Sequence, residues 1–179
     1  MILGLDISTS ITGYTLLEND GTLNKIGHID LRKEKNFFKK ARLVEDTLRG
    51  IDKESVSWVQ RVYIEQSLQS FRSGFSSAQT LSLLSRFNGV VSWLCYDVYN
   101  LEPQFLAATS ARKTAGIKVP RGKKAKEVVL QFTIDNLAGF DVQYTRHGNP
   151  KAGYTDQADS YVIARAGWLN ERAKAKDTD

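Results

Sequence analysis

The sequence predicts an α/β fold in which one mixed five-stranded sheet, its first three strands an antiparallel meander, is flanked by α-helices. Three observations predict it. Short apolar runs separated by turn residues crowd the first part of the chain. Strand and helix patterns then alternate, and the last third reads as helix after helix. The resulting order, βββαβαβααα, builds a sheet early and covers it late.

Residues 1–7 (MILGLDI) are an apolar run ending at an acid, and Gly13 to Leu17 and Leu23 to Leu31 read as the next two strands. Asn19-Asp20-Gly21 lies between the latter pair, and Asp-Gly suits a hairpin turn whose central residues take positive φ. Phe37, Phe38, Ala41, Leu43, Val44 and Leu48 recur at three- and four-residue spacing, predicting an amphipathic helix that closes at Gly50. Arg61 to Glu65 (RVYIE) is the fourth strand. Residues 66–76 (QSLQSFRSGFS) lack a steady period and read as a loop. Ser76 or Ser77 then caps a helix over 77–98, with Gln79 at capping-box spacing from Ser76. Its apolar residues cover more than one stripe, so it is buried on two sides. Tyr99 to Leu101 reads as the fifth strand, limited by Pro103. Thr109 or Ser110 begins a short helix ending near Gly116, a second helix covers 123–137, a loop with Gly and Pro covers 139–154, and a final helix covers 156–174.

The chain has 179 residues, 41% apolar and 25% charged, which suits one folded domain over 1–179 and is too apolar for a disordered chain. No apolar run approaches the roughly 18 to 20 residues that cross a bilayer, and the opening MILGLDIS lacks a basic stretch ahead of an apolar one. A cytoplasmic or nucleoid-associated protein without a membrane partner is expected. Cys95 is the single cysteine and His28 and His147 are the two histidines, so an intrachain disulfide and a soft-ligand metal cluster are excluded. Any metal must be held by oxygen. The net charge of +5 is modest, but Arg112, Lys113, Lys118, Arg121, Lys123, Lys124 and Lys126 fall in fifteen residues without one acid. Such a run is either a solvated surface or a contact for a polyanion.

Four carboxylates stand out by position. Asp6 and Glu65 end apolar strands, where the sheet gives way to polar loop, and Asp156 and Asp159 share a face at the start of the last helix. Each has an ordinary reading too: Asp156 can complement the helix dipole, and Glu65 can pair with an arginine at the sheet edge. An acid ending an apolar strand, as Asp6 does, needs a partner or a task. If the first and fourth strands are neighbours under the last helix, the four acids converge. Such a cluster needs a cation, and Mg²⁺ or Mn²⁺ prefers oxygen ligands; two such ions can hydrolyse a phosphodiester.

The segments LGLDISTSITGY (3–14), VYIEQSL (62–68) and TDQADSYVIARAG (155–167) resemble the RuvC family of Holliday-junction resolvases, whose fold is RNase H-like. In that family an acid ends the first strand, Glu-Gln ends the fourth, and a D-x-x-D pair opens the last helix. Asp6, Glu65-Gln66 and Asp156-x-x-Asp159 match. The resemblance spans essentially the whole chain. It implies a Mg²⁺-dependent endodeoxyribonuclease of recombination and repair that holds two ions per site, with Mn²⁺ substituting, at Asp6, Glu65, Asp156 and Asp159. It further implies a homodimer joined through 77–98 that nicks four-way junctions symmetrically. Lys126 matches the catalysis-assisting lysine, and Arg112, Lys113, Lys123 and Lys124 the DNA-contacting basic positions; Lys118 and Arg121, from the same basic run, are expected to join them. Leu68 matches the side chain that enters the junction centre, and Phe71 and Phe75 stand nearby for base stacking, or else cover a core edge. The serine- and phenylalanine-rich loop, the long 139–154 connection and the dense basic run depart from bacterial RuvC and resemble a viral or organellar branch, which widens the expected location to a host cytoplasm or organellar matrix.

Two further readings within DNA binding stay open: a debranching nuclease acting on forks, flaps and Y-junctions, and a non-catalytic relative, against which retention of all four acids argues. The opening GLDISTS also resembles the phosphate-gripping turn of actin-like ATPases and sugar kinases. Those proteins close two such domains around ATP, and 179 residues supply one.

Overall fold

The computed structural model describes residues 1–54, 58–66 and 78–176. Among them, β1 (Ile2–Asp6), β2 (Ile11–Leu17) and β3 (Leu23–Asp30) form the expected meander, and α1 (Phe37–Glu54) leads to β4 (Arg61–Glu65). They are followed by α2 (Ala78–Tyr99), β5 (Gln104–Leu106), α3 (Ala108–Thr114), α4 (Ala125–Asn136) and α5 (Tyr154–Lys176). The strand order is β3-β2-β1-β4-β5, with β1 antiparallel to β2 and parallel to β4, and β4 parallel to β5. The fold is RNase H-like, and the central place of β1 explains why Ile2, Leu3 and Leu5 read as an unbroken apolar run: both faces are covered.

Strand alternation divides the core in two. Leu3, Leu5, Val62 and Ile64 face α1 and α2, where Val44, Leu48, Phe87 and Val91 meet them. Ile2 and Tyr63 face the other way, toward α5 with α3 and α4 behind it. On this second side the last helix lies unusually close. A Cβ on Gly4 would stand 2.5 Å from the Ala164 backbone, and one on Gly13 would stand 2.0 Å from the Asp156 carbonyl oxygen. Ala158, Ser160, Ala164 and Ala166 supply the matching small surface on the helix. The buried Ser160 hydroxyl bonds the Thr15 hydroxyl at 2.8 Å, so neither is left bare at a cost of about 1 to 3 kcal/mol.

Several boundaries differ from expectation, and the fifth strand differs most. Tyr99 does not begin it but ends α2: its ring packs on the first core and its hydroxyl donates to the Leu48 carbonyl at 2.8 Å. Asn100 then stops the helix at φ +54, a left-handed conformation that asparagine tolerates. Pro103 precedes β5 instead of closing it, so its missing N–H costs no ladder bond. Helix α1 continues through Gly50 because Ile51, 2% exposed, extends its apolar face. Thr109 and Ser110 lie inside α3, and Ala107 takes the N-cap position without a side-chain bond. Helix α4 starts two residues later than expected, while α5 is longer at both ends. The capping residues Ser76 and Ser77, and the loop residues Leu68, Phe71 and Phe75, lie outside the described residues.

Candidate active site

Parallel pairing of β1 with β4 matches Leu5 to Ile64, so Asp6 and Glu65, the next residue of each, leave the sheet side by side. Both fall on the alternation that faces α5. A row of paired residues continues from Asp6 across the sheet: Asp6 opposes Gly13 on β2, and Gly13 opposes His28 on β3. The first turn of α5 lies over this row. Gly13 leaves room for the Asp156 carbonyl, and Gln157 Nε2 meets His28 Nδ1 at 2.7 Å. His28 in turn sits where any side chain on Gly153, at φ +95, would stand. Asp156 and Asp159 are thereby aimed at the end of β1.

The four acids form one electrostatic unit. Burial, and then the charges of Glu65, Asp159 and Asp156, raises the Asp6 carboxyl well above the ordinary range. Burial followed by Asp159 pushes Glu65 to about 7, against the opposing pull of Arg112 and Lys126. Asp159 is pushed to about 6, chiefly by burial; Lys126 and Arg112 oppose the rise and Asp156 adds to it. Each displacement is set first by burial, with neighbouring acids adding to it and Lys126 opposing it. Lys126, on the first turn of α4, reaches in from solvent to 3.9 Å from Asp159 Oδ2. Burial alone would lower its ammonium, but Asp159, Asp156, Asp6 and Glu65 hold it above its usual value.

The basic run divides. Arg112, half-buried on α3, and Lys126 act on the acids, whereas Lys113, Lys118, Arg121, Lys123 and Lys124 are exposed. Lys124 pairs with Glu127 at 3.3 Å, both in solvent. The donor set facing the end of β1 is all oxygen and carries more negative charge than Lys126 and Arg112 balance, which fits a hard divalent cation in chemistry. As the side chains stand, no group of three His, Cys, Asp or Glu among the described residues is assembled around one point to hold an ion. The sequence reading missed His28, Gln157 and Gly13. Their role depends on a register across three strands, and the signal available was a histidine in an otherwise apolar and polar alternation.

No protein-family model matches the sequence, and no curated protein sequence does. Solved structures do match. RuvC of T. thermophilus in complex with a Holliday junction substrate aligns with a TM-score of 0.67 at 12% identity, over 96% of this chain and 94% of its own. A second Thermus thermophilus RuvC structure aligns with a TM-score of 0.63 at 15% identity, over 97% and 96%. The yeast mitochondrial Holliday junction resolvase Ydc2 aligns with a TM-score of 0.62 at 16% identity, over 98% of this chain and 80% of its own. Identity this low speaks for architecture alone, and over nearly its whole length this chain has the RNase H-like fold found in RuvC and Ydc2.

Proposed function

We propose that the chain is a metal-dependent, structure-selective DNA endonuclease that resolves four-way junctions. The observation that carries this reading is the convergence of Asp6, Glu65, Asp156 and Asp159 at one sheet edge, with Lys126 facing them. A binding module gains nothing from clustered negative charge facing phosphates. The fold shared with two kinds of resolvase supports the same reading.

Asp6, Glu65, Asp156 and Asp159 would hold Mg²⁺ or Mn²⁺, and four carboxylates suit two ions. Bound there, such ions supply counter-charge for the phosphodiester and make a water nucleophile available near neutral pH. The chain's own residues do the rest. The sheet fixes Asp6 and Glu65, and the row Asp6, Gly13, His28 fixes the helix that carries the other two acids. Lys126, more than half exposed on its outer side, sets a positive charge where the scissile phosphate approaches, and Arg112 adds a second. The exposed residues Lys113, Lys118, Arg121, Lys123 and Lys124 contact backbone phosphates, which positions DNA by shape without reading sequence. Leu68, Phe71 and Phe75 remain candidates for the junction centre.

Paired nicks need two sites. Helix α2 leaves Leu83, Trp93 and Tyr96 exposed at 39%, 60% and 52%. These exposed apolar side chains, on a helix that buries one face in the core through Phe87, Val91, Leu94 and Cys95, support a homodimer through α2.

The test is cleavage of a mobile four-way junction, a Y-fork, a flap and linear duplex side by side in Mg²⁺. Symmetrical paired nicks in the four-way junction are expected, lost at least about 100-fold in Asp6→Asn, the order that a charge-stabilising group supplies. Equal cutting of forks and flaps would make the chain a general debranching nuclease, a reading that the exposed basic turn before α4 favours. No cutting in Mg²⁺ or Mn²⁺ alongside tight junction binding would leave a non-catalytic relative.

A further inference from the structure

A second basic surface borders the acid cluster from the other side of the sheet. Residues 32–42 hold Arg32, Lys33, Lys35, Lys39, Lys40 and Arg42, with Glu34 the one acid among them. The segment leaves β3 and enters α1, whose Ala41 and Val44 pack on the first core. The 112–126 run instead lies on α3 and α4, whose Ala111 and Val129 pack on the second core. The two runs therefore occupy opposite faces of one sheet.

Two bonds hold the first of these surfaces to the edge that carries Asp6. Leu31 N donates to the Ser10 carbonyl at 2.8 Å, and Lys40 Nζ donates to the Thr9 carbonyl. Thr9 and Ser10 belong to the turn that follows β1. Arg32 lies close enough to Asp156 to feel its charge. Some of the bases are already paired: Arg32 with Asp30 at 2.6 Å and Arg42 with Glu45 at 3.4 Å. Lys33, Lys35 and Lys39 are exposed, and among the described residues none of them is in an ion pair. Beside them Phe38, on the first turn of α1, is 74% exposed, while Ala41, Val44, Leu48 and Ile51 of the same helix are buried. Its ring stands edge-on to Phe37 at 5.4 Å, and Arg86 lies over Phe37 at 5.5 Å. Lysines around an exposed aromatic ring suit a nucleic acid, which offers both phosphates and base faces, better than a small anion.

We propose that Lys33, Lys35 and Lys39 form a second phosphate-contacting surface, so that the DNA backbone crosses the acid edge from the α3–α4 face to the α1 face and is held on both sides of the cut. This rests on the reading of the chain as a nuclease of branched DNA, and it adds where the second stretch of DNA lies. Each lysine that neutralises one phosphate contributes about 0.9 to the slope of log K against log salt.

The experiment measures junction affinity between 50 and 200 mM salt in EDTA, so that no cleavage intervenes. It compares the wild type, the triple variant Lys33→Ala, Lys35→Ala, Lys39→Ala, and a charge-matched control, Arg172→Ala, Lys174→Ala, Lys176→Ala. The control residues sit at the far end of α5, and circular dichroism checks that all three proteins are folded. The first variant is expected to lower the salt slope by roughly 2 to 3, and the control by less than one. An unchanged slope in the first variant, or an equal fall in the control, overturns the proposal while leaving the nuclease reading intact. A wild type that does not bind the junction at all overturns both. If the triple variant is misfolded, Lys39→Ala alone decides: a slope lower by about 1 supports the surface, and an unchanged slope rejects it.

Discussion

Glu65 and Asp159 keep protons to pH values near 7 and 6 because folding buries them beside acids of the same charge. In the unfolded chain they would lose them in the ordinary carboxylate range. Between those limits the folded protein binds more protons than the unfolded one, so stability falls as pH rises. Without divalent metal, the melting temperature should rise as pH is lowered from 8 to 5. The part due to Glu65 and Asp159 is full above pH 7 and relieved as pH falls toward the unfolded values. Asp6, raised in the same direction, adds to it, while the Met1 ammonium, lowered by burial, opposes it at the top of the range. Asp20, Asp30, Glu34 and Glu171 are shifted the opposite way, and their contribution is lost only as pH falls below the ordinary carboxylate range, outside this window. Glu65→Gln should flatten the profile and raise stability at pH 8; a profile as steep as the wild type's would mean that Glu65 is not under this strain. The acids were legible in the sequence because each stands where an apolar run stops. The tether from His28 to Gln157 was not, since nothing local to either residue says that they meet.

At the scale of elements, the placement of α5 decides the site. Two glycines of the sheet, Gly4 and Gly13, admit its backbone where a Cβ would clash with it. Gly13→Ala would set a methyl group into the Asp156 carbonyl. It should destabilise the protein by about 1 to 3 kcal/mol, the usual cost of overpacking, and reduce cleavage by more than this loss of folded protein explains. Urea unfolding and single-turnover cleavage measured on the same preparation separate the two effects. A variant with wild-type cleavage would show that the acids tolerate movement of the helix. Strand and helix identities were legible from periodicity, since the apolar residues of β1, β4 and α1 have their partners within each element's own pattern. The fifth strand was not: at three residues it is too short to show alternation, and the aromatic Tyr99 that suggested it serves α2.

For the whole molecule, the proposed homodimer would cover Leu83, Trp93 and Tyr96, which α2 leaves exposed in the single chain. Sedimentation equilibrium should find a particle of twice the 20.1 kDa chain mass, reduced to one chain by Trp93→Glu. That variant should still nick junctions while losing the simultaneous second cut. A wild type that stays monomeric at tens of micromolar would refute dimerisation through α2. The sequence reading put this helix in the core on two sides, but it is buried on one: Phe87, Val91, Leu94 and Cys95 share a face, while Leu83, Trp93 and Tyr96 are exposed.

The close seating of α5 on the opening meander also sets a schedule. Thr15 and Ser160 touch although they are 145 residues apart in the chain. At roughly 5 to 20 residues per second, a ribosome finishes the second of them about 7 to 30 s after the first. Until the last few residues of that interval the nascent chain has Asp6 and then Glu65 without Asp156 or Asp159. The acid cluster is therefore assembled only when α5 is made, so under the proposed function cleavage would begin with that helix.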